Sequence, residues 1–121
     1  MRRDMNIVYQ IIRQIGDSES RTFEDDFKFD KEVSKEKLHY HLIIMEQAGV
    51  IEGSIKAYDD GESLFYSLYL GWKGNDFYET FENDNVWENV KKYFKNKGME
   101  VTNVPFDILL EVGKNYIKSL F

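Results

Sequence analysis

The chain has no cysteine, a single proline and no apolar run that approaches the length of a membrane-spanning helix. Without thiols there is no disulfide, no thiolate nucleophile and no cysteine-ligated zinc or iron–sulfur site, and a reducing, intracellular setting fits. Cations are also in short supply: 16 Lys and Arg against 22 Asp and Glu give a formal charge of -6 and a pI near 4.9. That balance argues against a general polyanion binder and leaves a local basic patch as the route to nucleic acid. The opening residues, MRRDMNIVYQIIRQIG, place basic before apolar side chains, but Asp4, Gln10, Arg13 and Gln14 interrupt any signal-peptide core. A soluble, cytoplasmic protein with no membrane partner is expected. Repeats, low-complexity tracts and linkers are absent as well.

What is present is globular: 121 residues, 42% hydrophobic, 16% aromatic and 31% charged, enough for one domain over 1–121. Asp4 is placed to cap a first helix in which Val8, Ile11, Ile12 and Ile15 recur at i, i+3, i+4 and i+7, with Gly16 as its stop. From Asp17 to Asp30 acidic residues dominate, no helix is readable, and Phe23, Phe27 and Phe29 suggest a short strand. Ser34 then caps a helix to Ala48 with Leu38, Leu42 and Met45 on one face and Gly49 at its end. The period next changes to two. Ile51, Gly53, Ile55 and Ala57 alternate, Asp60-Gly61 signals a hairpin, and Leu64, Tyr66, Leu68 and Leu70 line the return strand. Trp72 to Phe81 reads as a helix burying Phe77 and Phe81, and Val86 to Lys97 as another burying Val86, Val90 and Phe94 before Gly98. A last helix starts at Pro105, whose missing N–H suits the first helical position. The expected fold is α+β: a winged-helix core over 1–82, with a hairpin as wing, and two additional helices over 83–121.

The segments MRRDMNIVYQII, YHLIIMEQAGVIEG, LGWKGNDF, VWENVKKYFKNKG and VPFDILLEVGKNYIKSL, in that order, carry a family resemblance. HLIIMEQAGVIEG resembles the pattern by which the recognition helix of many bacterial winged-helix regulators runs into the wing. The five segments together resemble the bacterial and phage proteins of domain-of-unknown-function family 2513, which implies a winged-helix fold and no particular activity. Gly71 and Asn75 stand where that family often has threonine and histidine, so any chemistry done by such a histidine is not available to this chain.

A DNA-reading helix presents base-edge donors flanked by phosphate-binding cations. Opposite the Leu38, Leu42, Met45 stripe, helical geometry sets Glu36, Tyr40, Ile43 and Gln47 outward, and of these only Gln47 suits a base. Lys31, Lys35 and Lys37 are cancelled one for one by Glu32, Glu36 and Glu46, while the hairpin tip reads Asp59, Asp60, Gly61, Glu62. The plainer reading of the outward Tyr40 and Ile43 is partial cover by the wing or by the Phe27/Phe29 segment; the sharper one is a face that meets protein. Should duplex bind instead, the phosphate contacts are Arg2, Arg3, Lys35, Lys37 and the patch Lys91, Lys92, Lys95, where Lys97 and a lone Glu88 also lie and where complementing a helix dipole is the plainer role.

Catalytic, cofactor and metal sites are not expected. His39 and His41 diverge by about 200° on a helix and cannot share an ion; His41 suits packing or the surface. Gly71-Trp72-Lys73-Gly74 is too short for a phosphate loop, no serine sits in a nucleophile elbow, and neither Asp59, Asp60, Glu62 nor Glu82, Asp84, Glu88 follows calcium-loop spacing. The function read from sequence is a non-enzymatic, regulatory or adaptor-like winged-helix module acting through protein contacts, with a DNA-binding transcription regulator as the alternative. The last helix adds one expectation. Asp107, Glu111, Lys114 and Lys118 leave only a narrow polar stripe, so its wide apolar face wants a second surface. Either the helix is clasped within the chain, or Phe106, Leu109, Leu110, Tyr116, Ile117 and Leu120 build a twofold homodimer.

Overall fold

Asp4 holds an extended conformation while its carboxylate accepts from the backbone N–H groups of Asn6 and Ile7, and this starts α1, Met5–Asp17, in the computed structural model. The structure describes residues 2–18, 22–24, 27–57 and 64–121. The α1 stripe is buried throughout at Met5, Val8, Ile11, Ile12 and Ile15. Gly16 does not stop the helix as expected. The helix runs through it to Asp17, and the ring of Tyr78 lies so close against it that no side chain would fit there. The Tyr78 hydroxyl donates to the carboxylate of Asp17 at 2.6 Å.

Strand β1, Thr22–Glu24, pairs antiparallel with β3, Leu64–Leu70, whose other edge pairs with β2, Ile51–Ala57, so the sheet order is β1-β3-β2. Register runs from Ile51 opposite Leu70 to Ala57 opposite Leu64. The expected alternation places Ile51 and Leu68 in the core with no exposed surface. Gly53, at φ 128°, lies so close to the Ser67 carbonyl that no side chain fits. The hairpin signal at Asp60-Gly61 and the acidic tip of Asp59 to Glu62 fall outside the described residues, as do Glu19, Arg21, Asp25 and Asp26 of the acidic stretch.

Helix α2, Lys35–Gln47, is capped by the Ser34 hydroxyl, which accepts from the Lys37 N–H, and buries Leu38, His41, Leu42 and Met45. Gly49, at φ 76°, closes it in the left-handed conformation expected there. Helix α3, Trp72–Phe81, buries Phe77 and Phe81. Helix α4, Asp84–Asn96, starts two residues ahead of the expected Val86, because the Asn83 side chain accepts from the Asn85 N–H and nucleates the first turn. A 3-10 turn at Val101–Asn103, not foreseen, precedes α5, Phe106–Lys118. Pro105 is the residue before that helix rather than its first, and its carbonyl accepts from the N–H groups of Ile108 and Leu109. The arrangement is α+β, five helices around an antiparallel hairpin with one short added strand, in winged-helix-like order.

Between β1 and α2 a helix-turn-helix has its supporting helix. Residues 27 to 34 carry none. Instead two amides of α1 hold an extended segment. Gln14 accepts from the Lys28 N–H at 2.8 Å and donates to its carbonyl at 2.7 Å, while Gln10 accepts from the Asp30 N–H at 2.9 Å and donates to its carboxylate at 3.0 Å. A glutamine amide sets an acceptor oxygen beside an NH2 group with two N–H donors, so Gln14 pairs with both the N–H and the carbonyl of Lys28 as a strand residue would, and Gln10 pairs with the N–H and the carboxylate of Asp30. The spare N–H of each donates within α1, from Gln14 to the Gln10 carbonyl and from Gln10 to the Asn6 carbonyl. The segment's Phe27 and Phe29 are thereby pressed, half-buried, against the core.

Candidate interaction surface

Four residues expected to face outward on α2 do so to different degrees: Glu36 and Gln47 are exposed, Tyr40 and Ile43 half-buried. The face therefore offers a partly covered tyrosine and isoleucine flanked by glutamate and glutamine, with no arginine or asparagine to read a base edge. Of the cations named for phosphate, Lys35 and Lys92 and Lys95 are exposed, Lys37 is half-buried, and Lys91 is 3.3 Å from Glu88. Arg2 and Arg3 line a groove of about 280 Å³ with Thr102, Asn103 and Pro105, which no lysine of α2 or α4 enters. Lys97, at the end of α4, sits 5.0 Å over the Tyr93 ring.

The two histidines part company. His39 is half-exposed, whereas His41 has no exposed surface. Its Nε2 accepts from the Asp4 N–H at 2.9 Å, so the proton sits on Nδ1, which donates to the Lys37 carbonyl at 2.7 Å. Both ring nitrogens are spent on backbone and neither lone pair is left for a metal. Burial pushes the His41 pKa below its ordinary 6.5, more than its hydrogen bond to Lys37 raises it. Of its two expected places, packing is the one taken, and it ties the start of α1 to α2. Among the described residues, no group of three His, Asp or Glu side chains is placed to hold a metal ion.

Asn75, which stands where the family often has histidine, donates its amide to the carbonyls of Leu70 and Gly71 and so closes the strand-to-helix turn. Arg13 joins α1 to the α3–α4 corner, donating to Tyr9, to the Phe81 carbonyl and, at 2.7 Å, to Asp84.

The wide face of α5 is mostly covered within the chain. Leu109 is fully buried, Phe106 stacks on Phe77 with centroids 4.8 Å apart, and Gly113 lets Phe81 approach so closely that a Cβ would sit 2.5 Å from its ring. Leu110, Tyr116 and Ile117 are half-buried against the core. Of the six proposed for a dimer only Leu120 stays exposed, at 63%, joined by Ile108 and Phe121.

Sequence reasoning missed Trp72. It opens α3 at 90% exposure and lines a groove of about 410 Å³ with Asn75, Asp76 and Glu79. The signal that separates it from a core tryptophan was available: on the helix, Trp72 lies five residues from Phe77, off the face that Phe77 and Phe81 share.

The family described as "Hypothetical protein (DUF2513)" matches residues 2–100. A relative from Haemophilus influenzae, described as an uncharacterized protein, is 26% identical over 124 residues, spanning 99% of this chain and 98% of its own. No solved structure matches. Among the described residues, no helix is long and apolar enough to cross a membrane.

Proposed function

The chain belongs to the DUF2513 family, and from that premise we propose that it is a non-enzymatic, winged-helix-like module of the cytoplasm, regulatory or adaptor-like, that works through protein contacts. The outer face of α2 carries the proposal: where a DNA reader sets arginine or asparagine, it sets Glu36, Tyr40, Ile43 and Gln47. Two further features support it. The supporting helix is replaced by the Gln10/Gln14 ladder, and the groove lined by Arg2 and Arg3 takes in no lysine of α2 or α4. A non-catalytic role is supported by His41, the one fully buried titratable ring among the described residues, whose nitrogens are both committed to backbone. Self-association through α5 has a place in the proposal only at Ile108, Leu120 and Phe121, since the rest of that face is covered within the chain.

The test pairs two measurements on the full chain. Capture from a host lysate is run with the wild type and with the double variant Tyr40→Lys, Ile43→Lys, and anisotropy is recorded on random and genomic duplexes at low and at about 0.15 M salt. The proposal expects a partner that the wild type retains and the variant loses, and duplex binding confined to the weak non-specific range. A sequence-specific complex of submicromolar affinity at about 0.15 M salt, weakened when Lys35 and Lys37 are replaced, would establish the transcription-regulator alternative instead.

A further inference from the structure

Tryptophan is seldom left in water, because its indole is the largest apolar surface a side chain can bury. Trp87 follows that rule at 3% exposure, stacked on Tyr9. Trp72 does not, and at 90% exposure its ring contributes almost nothing to the packing of α3. Asn75, Asp76 and Glu79 follow at i+3, i+4 and i+7, the spacing that keeps them on the same side of the helix, and line one open groove with it. Within that groove the polar groups are unequally committed. The Asn75 amide is spent on the Leu70 and Gly71 carbonyls, and one oxygen of Asp76 is held by Lys114 at 2.7 Å. The second Asp76 oxygen and the exposed Glu79 carboxylate have no ion-pair partner among the described residues. Lys73 is adjacent in sequence but lines a different groove, with Arg3, Met45 and Phe106, so α3 divides charge between its sides.

An electron-rich ring face beside uncommitted carboxylates, on a chain of net charge -6, is complementary to a cation with a flat, weakly hydrated head. We propose that the Trp72 groove docks an arginine of a basic peptide segment on a partner protein, the guanidinium lying on the indole and forking onto Glu79 and Asp76. Arginine fits better than lysine because a planar guanidinium stacks and bonds two carboxylate oxygens at once, whereas an ammonium is a hydrated point charge. This surface extends the protein-contact reading to a second face and uses no residue of α2. The two readings therefore fail separately: Tyr40→Lys with Ile43→Lys tests one, and Trp72 variants test the other.

The probe is the acetylated, amidated peptide Gly-Arg-Gly-Arg-Gly, titrated into the full chain and read by indole NMR resonances and tryptophan emission. A saturable, salt-sensitive shift of the Trp72 indole with Trp87 unmoved is expected. The same peptide with citrulline for arginine should bind about tenfold more weakly, since citrulline keeps the shape and loses the charge. Glu79→Gln combined with Asp76→Asn should weaken binding at least about fivefold. Trp72→Ala should abolish it by calorimetry while leaving the near-ultraviolet circular dichroism of Trp87 intact. Failure to saturate, equal binding of the citrulline peptide or of a glutamate peptide, or shifts that spare α3 would overturn the proposal. So would concentration-dependent self-association that Trp72→Ala removes, which would make a second copy of the chain the occupant.

Discussion

Helices α1 and α3 are both amphipathic and both bury an apolar face, yet they use their remaining faces in opposite ways. On α1 nearly every polar side chain has a structural partner: Asp4 caps, Gln10 and Gln14 pair with a passing backbone, Arg13 pins the α3–α4 corner. On α3 the outer face carries Trp72 and Glu79 into solvent, neither with a hydrogen-bond or ion-pair partner among the described residues. A polar group with a backbone partner is explained by the fold that it completes. An indole and a carboxylate without one are not, and those are the residues from which function is best argued in a chain whose fold hosts many activities.

The comparison is tested most severely by the two tryptophans. Trp87 packs against Tyr9, Phe77 and Phe81, with the Tyr9 ring parallel at 4.0 Å. Trp87→Ala is expected to cost about 3–5 kcal/mol, and Trp72→Ala within about 0.5 kcal/mol of nothing. Urea denaturation of both variants measures the difference. A cost above about 1.5 kcal/mol for Trp72→Ala would mean that the indole is part of the packing after all, and the contrast between the helices would collapse.

The glutamine ladder comes next in size. Each amide replaces water by a paired donor and acceptor, so Gln10→Ala with Gln14→Ala should lose about 2 kcal/mol, near 1 kcal/mol per position. Hydrogen exchange localises the loss: the amides of Lys28 and Asp30, which donate to these glutamines, should lose protection while those of Leu42 and Phe77 keep theirs. Unchanged exchange at Lys28 would show that the segment is held by Phe27 and Phe29 alone.

Why some of this was legible in sequence and some was not follows from the range of the interactions. Periodicity reports burial of a whole face, so the stripes of α1, α2 and α4 and the alternation around Ile51 and Leu68 could be read directly. So could the Ser34 cap and Gly49, which act within one turn. Gly16 was misread because its reason lies 62 residues away, in the Tyr78 ring. The ladder was unreadable for the same cause: Gln10 and Gln14 look like surface residues until Lys28 and Asp30 are beside them. The wide face of α5 was noticed, but its cover by Phe77 and Phe81 depends on how three helices meet. On the candidate surface, the outward set on α2 is readable from geometry, whereas Trp72 opens a helix whose burial is carried by Phe77 and Phe81, and its 90% exposure depends on what the rest of the fold leaves uncovered.

Acid should act on the α1 side through His41. Its folded pKa is lowered, chiefly by burial, from the ordinary 6.5. Above pH 6.5 the ring is neutral in both states and the stability is fully present. As pH falls below 6.5 the unfolded chain takes up a proton that the folded chain refuses, so stability declines until the lowered folded pKa is passed. A second proton would also place an N–H against the Asp4 N–H that Nε2 now accepts. Melting temperatures between pH 8 and pH 5 should therefore fall for the wild type and for His39→Gln, and the slope should be shallower for His41→Gln. An identical slope in His41→Gln would remove His41 as the acid-sensitive contact.

The smallest effect expected belongs to the one ion pair in the Trp72 groove. Lys114 and Asp76 meet at 2.7 Å with side chains 45% and 39% exposed, and an exposed pair between long, solvated groups contributes about 0–0.5 kcal/mol after screening and side-chain entropy. Lys114→Met should therefore leave stability within error of the wild type, in contrast with any loss on the α1 side. Its consequence for recognition has the opposite sign. Removing the ammonium frees the Asp76 oxygen that Lys114 holds, so the arginine peptide should bind about two- to threefold more tightly, the equivalent of roughly 0.5 kcal/mol at a surface site. Calorimetric titration of the variant at low and high salt reads both the gain and its screening. Weaker binding in Lys114→Met would show that Lys114 holds Asp76 in place for the ligand, and that α3, like α1, uses its ion pair to position a neighbour rather than leaving its outer face unengaged.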